Sequence, residues 1–168
     1  MGPRATRPRM PGGYGLLDAN QGSGLLLWSF ATERMERAHN YWVATARPGG
    51  APHVAPVWGL WMDNAFYFST DRSSRKGRDL AINPKVAVHL ESGDEVVILE
   101  GVARDVTDPA VLQRFVEAYD AKYKVKVNVT RESLRGAPVL VVAPRTAYGW
   151  LESDFPGGAT RWRLDQET

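Results

Sequence analysis

The chain has 168 residues, 43% of them hydrophobic and 24% charged, the ordinary range for one globular domain and too short for two full ones. Its 21 basic and 19 acidic side chains leave a formal charge of +2, too little for bulk attraction to nucleic acid, so no nucleic-acid partner is expected. Cysteine is absent, no apolar run reaches the ~18–20 residues of a membrane span and the first twenty residues lack a signal-peptide core, so disulfides, thiolate metal sites and thiol nucleophiles are excluded and a cytoplasmic protein without membrane contact is expected.

Residues 1–24 mix Pro3, Pro8 and Pro11 with six glycines and Arg4, Arg7 and Arg9, a composition that buries too little apolar surface to offset its ordering entropy. This predicts a flexible N-terminal arm, with residues 25–168 as one domain. Ala31, Met35, Ala38 and Trp42 recur at helical spacing and place a helix over Ser29 to Asn40. Three strands follow, Tyr41 to Ala46, His53 to Met62 and Ala65 to Thr70, separated by turns at Gly49-Gly50 and Asp63-Asn64. Ser73 and Ser74 cap a short helix from Arg75 to Ile82 that Asn83-Pro84 stops.

Lys85 to Glu91 and Glu95 to Val106 read as strands, with Gly101 as a bulge or a point of close approach. Asp108-Pro109 starts a helix whose stripe of Leu112, Phe115, Val116, Tyr119 and Tyr123 runs to about Lys124. After a mostly charged stretch, Ala137 to Trp150 and Thr160 to Leu164 complete seven strands and three helices. Runs of strands exclude a regular βαβ alternation, so the fold class is mainly β, an antiparallel β-barrel with peripheral helices. Covering both faces of so many apolar strands in a short chain is easiest if one face meets a second copy, so a homodimer is expected.

His39, His53 and His89 fall in different elements without a second ligand at metal spacing, so no metal site is expected. The chain has no Gly-x-Ser-x-Gly turn, no phosphate-binding loop ending in Gly-Lys-Ser/Thr, and no Gly-x-Gly-x-x-Gly after a strand. With no side-chain nucleophile in view and no catalytic residue to name, an enzyme of this sequence would rely on a bound cofactor. The segment Ser69 to Arg78 gathers hydroxyls, free backbone N–H groups and fixed positive charge at one helix start, which is the chemistry of an anion site. The alternative is a solvated basic turn with an ordinary serine cap. Asp71 and Asp79 partly neutralise the cluster and favour a single phosphate over a broad nucleic-acid surface.

These residues carry a family resemblance. Tyr41-Trp42-Val43-Ala44-Thr45, then Gly50 to Trp58, Phe66 to Thr70, Ser74-Arg75-Lys76 and Asn83-Pro84, and finally Tyr148-Gly149-Trp150 and Thr160 to Arg163, are similar to the split β-barrel flavin proteins related to pyridoxamine 5′-phosphate oxidase. The family includes actinobacterial relatives that use the deazaflavin coenzyme F420. The resemblance covers about residues 36 to 164 and implies an FMN-binding split barrel, antiparallel and dimeric. It implies that the cofactor ring crosses the strand holding Val54, Pro56, Val57 and Trp58, with its phosphate arm at Ser69, Thr70, Ser74, Arg75 and Lys76. Trp150 and Arg161, supplied by the second subunit, would cover the cofactor at the subunit interface. The bland reading of Trp58 and Trp150 is packing.

True pyridoxamine phosphate oxidases carry an Arg and His pair near the last strand to hold their substrate, and the matching stretch here, Asp154 to Ala159, has neither. The arrangement resembles the F420-type branch, and 16 arginines against 5 lysines fit the GC-rich genomes in which that coenzyme is common. The expected function is hydride transfer between coenzyme F420, or FMN, and a small conjugated substrate. An FMN-dependent oxidase, a non-enzymatic flavin or haem carrier and a protein-interaction module are the alternatives. A second basic run, Lys122, Lys124, Lys126, Arg131 and Arg135, either opposes the dipole at the end of the long helix or contacts the anionic tail of F420.

Overall fold

The structure is a computed structural model that describes residues 2–128 and 130–164. The first residue of the expected arm, the last four residues of the expected 25–168 domain and Val129 lie outside the described residues. Period-two alternation forms most of the sheet. In β2 (Tyr41–Ala46) buried Tyr41, Val43 and Thr45 alternate with half-buried Trp42, Ala44 and Ala46, and β6 (Lys85–His89) buries Val86 and Val88 in the same way. The other strands are β1 (Arg4–Thr6), β3 (Pro52–Val57), β4 (Leu60–Met62), β5 (Ala65–Ser69), β7 (Glu95–Asp105), β8 (Val139–Leu151) and β9 (Thr160–Arg163).

Every pairing is antiparallel, in one nine-stranded sheet ordered β1-β9-β8-β7-β6-β2-β3, with β5 joining β4 to β8. The long β8 divides the sheet. One edge follows β7 along its whole length, whereas the other pairs β5 over Val139–Val142 and β9 over Thr146–Gly149. Gly101 behaves as expected: the β7–β8 register shifts beside it, and a Cβ there would stand 2.6 Å from the Ala143 carbonyl oxygen.

Among the described residues there are nine strands and five helices, more than the expected seven and three. The run from His53 to Met62 is two strands, because the chain turns at Trp58-Gly59 from pairing β2 to pairing β5. Gly59 permits this turn: a Cβ would sit 2.4 Å from the Phe66 ring and 2.6 Å from the Tyr67 carbonyl oxygen. Residues 4–6, expected in a flexible arm, pair with β9 as β1. Arg7 behind them donates to the carbonyls of Leu17, Asp18, Gln21 and Ala159, which ties the glycine-rich segment to the sheet edge.

Helix α1 (Trp28–Arg37) buries Ala31 and Met35, as the helical spacing predicts. Helix α2 (Arg75–Ile82) starts at the Ser74 cap, and α3 (Pro109–Tyr123) starts at Asp108 with proline in its first turn. The charged stretch contains α4 (Arg131–Gly136), opened by a Thr130–Ser133 capping box, and α5 (Phe155–Gly158) precedes β9. No helix of the described residues is long and apolar enough to cross a membrane.

The core face of the sheet packs Tyr41, Val43, Phe66, Phe68, Val88, Val97, Leu99, Val142 and Trp162 against α1. A smaller core under α3 holds Leu60, Tyr67, Phe115 and Val139. By the strand registers, the opposite face carries Val54 and Pro56 on β3, Trp42 and Ala44 on β2, Ala87 and His89 on β6, Ile98 and Glu100 on β7, and Tyr148 and Trp150 on β8.

Candidate functional site

Helix α2 is fixed to the sheet by its own polar groups. Asp79, only 4% exposed, accepts from the Thr45 hydroxyl at 3.0 Å and stands 3.8 Å from the Arg47 guanidinium, while the Asn83 amide donates to the Ala46 carbonyl. The other end of α2 is built on the end of β5 and on α4. Arg72 donates from its backbone to Gly136 and from its guanidinium to the Arg135 carbonyl, and Ser69 donates to Ala137.

Ser74 accepts from the Gly77 N–H at 3.0 Å, and its hydroxyl lies 3.1 Å from that of Thr70. Two hydroxyl protons share that single link, so one stays free to donate outward. Among the described residues, the backbone N–H groups of Arg75 and Lys76 and both their side chains have no hydrogen-bond or ion-pair partner. Burial pushes the Lys76 amine below its ordinary value. Asp71 turns away from these donors to the backbone and hydroxyl of Ser73, whose hydrogen bonds hold its carboxyl below the usual range. Unpaired N–H groups, a spare hydroxyl proton and two unpaired cations at one helix start make a cradle of the donors and charge that a phosphate would need.

On β3, the edge strand at the end of the sheet order, the side chains of Val54 and Pro56 stand on the outer face. Val54 is 51% exposed. Trp58 follows them at the turn, 42% exposed, stacked on Tyr123 at 4.5 Å with only 7° between the rings. Val57 faces inward and packs on the main core. Between β3 and β8 the outer face forms an open trough of about 650 Å³, lined by Ala44, Ala87, Lys85, Glu100, Val102 and Arg145 among others.

Trp150 and Arg161 are not joined to the α2 cradle by any contact within the described residues. Trp150 packs edge-on to Phe155, and the Arg161 guanidinium donates to Thr6 at 3.3 Å. Both stand on the outer face, four strand spacings or more from β3, about 19 Å at ~4.8 Å each. The structure thus groups Thr70, Ser74, Arg75 and Lys76, turns the Ser69 hydroxyl to the Ala137 carbonyl, aligns Val54, Pro56 and Trp58, and leaves Trp150 and Arg161 at the far side of the same face.

Comparison with known proteins gives this geometry a family. Residues 30–151 match the pyridoxamine 5′-phosphate oxidase family. The chain belongs to that family. It is a family of flavin-binding oxidoreductases. A pyridoxine/pyridoxamine 5′-phosphate oxidase of Anaeromyxobacter dehalogenans (strain 2CP-C) is 34% identical over 120 residues, 68% of this chain and 58% of that protein. The chain therefore spans less than two thirds of that relative's length. A conserved hypothetical protein of Mycobacterium tuberculosis superposes with a TM-score of 0.63 at 23% identity, covering 75% of this chain and 85% of that one. An F420 reductase superposes with a TM-score of 0.54 at 24% identity, covering 68% and 93%. Likeness at these identities shows the shared fold.

Asp154 to Ala159 forms a short turn and α5, with the Asp154 carboxylate accepting from Ser23 and packed on Gly157. No cation projects from it. Sequence reasoning placed Lys122 in one basic run with Lys124 and Lys126, whereas its side chain turns inward to the Gly59 carbonyl and the Tyr41 hydroxyl. The only signal was its position one residue before Tyr123, on the apolar stripe.

Proposed function

We propose that the chain is a homodimeric, cytoplasmic oxidoreductase that moves hydride between coenzyme F420, or FMN, and a small conjugated substrate. The observation that carries this reading is the phosphate cradle at the start of α2, with unpaired Arg75 and Lys76, in a chain whose family binds flavins. When bound, the ring system supplies the two-electron hydride chemistry. The protein's residues bind and orient. The α2 N–H groups and one hydroxyl of the Thr70–Ser74 pair donate to phosphate oxygens, and Arg75 and Lys76 neutralise its charge. Val54, Pro56 and Trp58 give the ring an apolar wall on the outer face, and backbone groups of the exposed β3 edge meet its polar rim.

The second copy belongs to the same reading. A two-fold axis through the outer face near the central β6 lays β3 of one copy over β8 of the other, which brings Trp150 and Arg161 of the partner onto the ring. The branch using F420 is favoured over pyridoxamine phosphate oxidation because Asp154 to Ala159 carries neither the Arg nor the His that would hold a phosphate-bearing substrate.

The test is a fluorescence titration of the stripped protein with FMN and F420 in parallel. Tight F420 binding with weak FMN binding supports the deazaflavin reading, and tight FMN binding moves it to an FMN oxidase or flavin reductase. Binding of neither overturns it in favour of an interaction module. A protein that binds cofactor yet turns over with no reductant and acceptor is a carrier.

A further inference from the structure

Lys122 opens the second basic run, next to last in α3, yet its ammonium turns inward. Nζ donates to the Tyr41 hydroxyl at 2.8 Å and to the Gly59 carbonyl at 3.1 Å. It lies 4.8 Å from the centre of the Tyr41 ring and 5.3 Å from that of Tyr123. Among the described residues no carboxylate lies within ion-pair distance of it. A half-buried ammonium without a carboxylate is a poor choice for stability, where an apolar side chain of the same length would serve better.

The hydrogen bonds of the corner explain the choice. Tyr41 has one hydroxyl proton, given to the Met35 carbonyl at 2.6 Å, so toward Lys122 it accepts. The Tyr123 hydroxyl accepts the Gly59 N–H at 2.9 Å and has one proton for two carbonyls, His39 at 2.8 Å and Gly59 at 2.9 Å. Lys122 is the donor that keeps the Gly59 carbonyl paired when Tyr123 turns to His39. Gly59 is also the residue at which the chain leaves β3 for β4, directly after Trp58. Trp58 lies parallel on Tyr123 and continues the outward series of Val54 and Pro56 along the ring wall.

We propose that Lys122 is a positioning residue: by holding the Gly59 carbonyl it fixes the Trp58-Gly59 corner and sets the plane in which Trp58 meets the cofactor ring. This rests on the cofactor reading given above. Lys122 touches neither ring nor phosphate, and its effect passes through Trp58.

A double-mutant cycle tests it, with FMN and F420 as probes at pH 7 and a temperature well below every variant's Tm. Lys122→Met keeps the aliphatic stem and is expected to weaken the cofactor held by the parent about tenfold, whereas Lys122→Arg, which keeps a donor, stays within about twofold. In a Trp58→Ala background the same Lys122→Met change is expected to cost under about twofold, because the route through Trp58 is gone. Unchanged affinity in Lys122→Met, or an equal loss in both backgrounds, overturns the proposal, since a merely structural lysine lowers Tm without such coupling. Lys122→Gln serves if the methionine variant does not fold. Hydrogen exchange over residues 57–60 separates this proposal from the cofactor reading. If the parent binds neither cofactor, that reading falls, and exchange alone decides the corner: about tenfold faster in Lys122→Met supports a fixed corner, and no change overturns it.

Discussion

Arg75 and Lys122 are both cations near the candidate site, and their surroundings assign them opposite behaviour. Arg75 is exposed and unpartnered, so Arg75→Ala is expected to leave Tm unchanged while weakening FMN or F420 by roughly 10- to 150-fold, the loss of one charge-assisted contact. A titration beside a thermal melt checks both halves, and parental affinity ends the phosphate assignment. Lys122 couples to folding itself. Burial pushes its amine from 10.5 down to about 8, so between those values the folded chain holds it neutral while the unfolded chain keeps the proton. The unfolded state then binds more protons, and stability rises with pH across that window. Lys76, also lowered by burial, contributes in the same direction. Above about pH 10 the slope reverses, because burial holds the Tyr41 hydroxyl far above its ordinary value and the unfolded chain loses that proton first. Lys122→Met should therefore gain less stability than the parent between pH 7.5 and 9.5, and an equal gain in both melts would show that another group carries the slope.

At the scale of the element, the turn at Trp58-Gly59 shows most clearly what the sequence leaves hidden. Gly59→Ala forces a Cβ into the Phe66 ring and the Tyr67 carbonyl and is expected to cost about 1–3 kcal/mol in urea unfolding, whereas Gly93→Ala, with open space around it, should be neutral. Equal midpoints for the two would mean that β4 and β5 separate at no cost. Strands such as β2, β6 and β7 were legible because one face is buried and the other is not, which writes a period of two into their side chains. The segment from His53 to Met62 is apolar throughout, so nothing but an isolated glycine marked its turn. In β1 the residues Arg4-Ala5-Thr6 have no strand signature at all. Their order comes from β9 and from the Arg7 guanidinium, partners more than 140 residues away or across a loop. Helix α4 was hidden by chemistry of a different kind, a capping box closed by Ser133 where Glu or Gln is the usual signature. Of the candidate site, the gathering of a serine cap and two cations could be read from Ser74-Arg75-Lys76, because it needs only a local helix start. The corner could not, because Lys122, Tyr41 and Gly59 meet only after the sheet has bent.

For the whole molecule, the decisive feature is the outer face from β3 to β8, which carries half-buried Ala44, Ala87, Ile98 and Val102 between the Val54 edge and Trp150. A free sheet face in water normally alternates toward polar residues, and this one instead offers small and branched apolar side chains around a trough with few charges, Lys85, Glu100 and Arg145. Ala87 stands on β6, the middle strand of the span from β3 to β8, where a two-fold axis relating two copies would pass. An arginine there points out of the sheet beside its cross-strand neighbour Glu100, where its own chain has room for it, yet in a dimer it meets its own symmetry mate with excess volume. Ala87→Arg is therefore expected to melt within a few degrees of the parent while sedimenting as a monomer. In the proposed dimer, where Trp150 and Arg161 of the partner cover the ring, the same variant should also lose cofactor affinity, by about tenfold or more, while Ser74, Arg75 and Lys76 of each chain stay in place. Sedimentation and FMN or F420 titration on one preparation separate the possibilities. A variant that remains dimeric places the interface elsewhere, and a monomer that binds cofactor as the parent does shows that one chain alone completes the site.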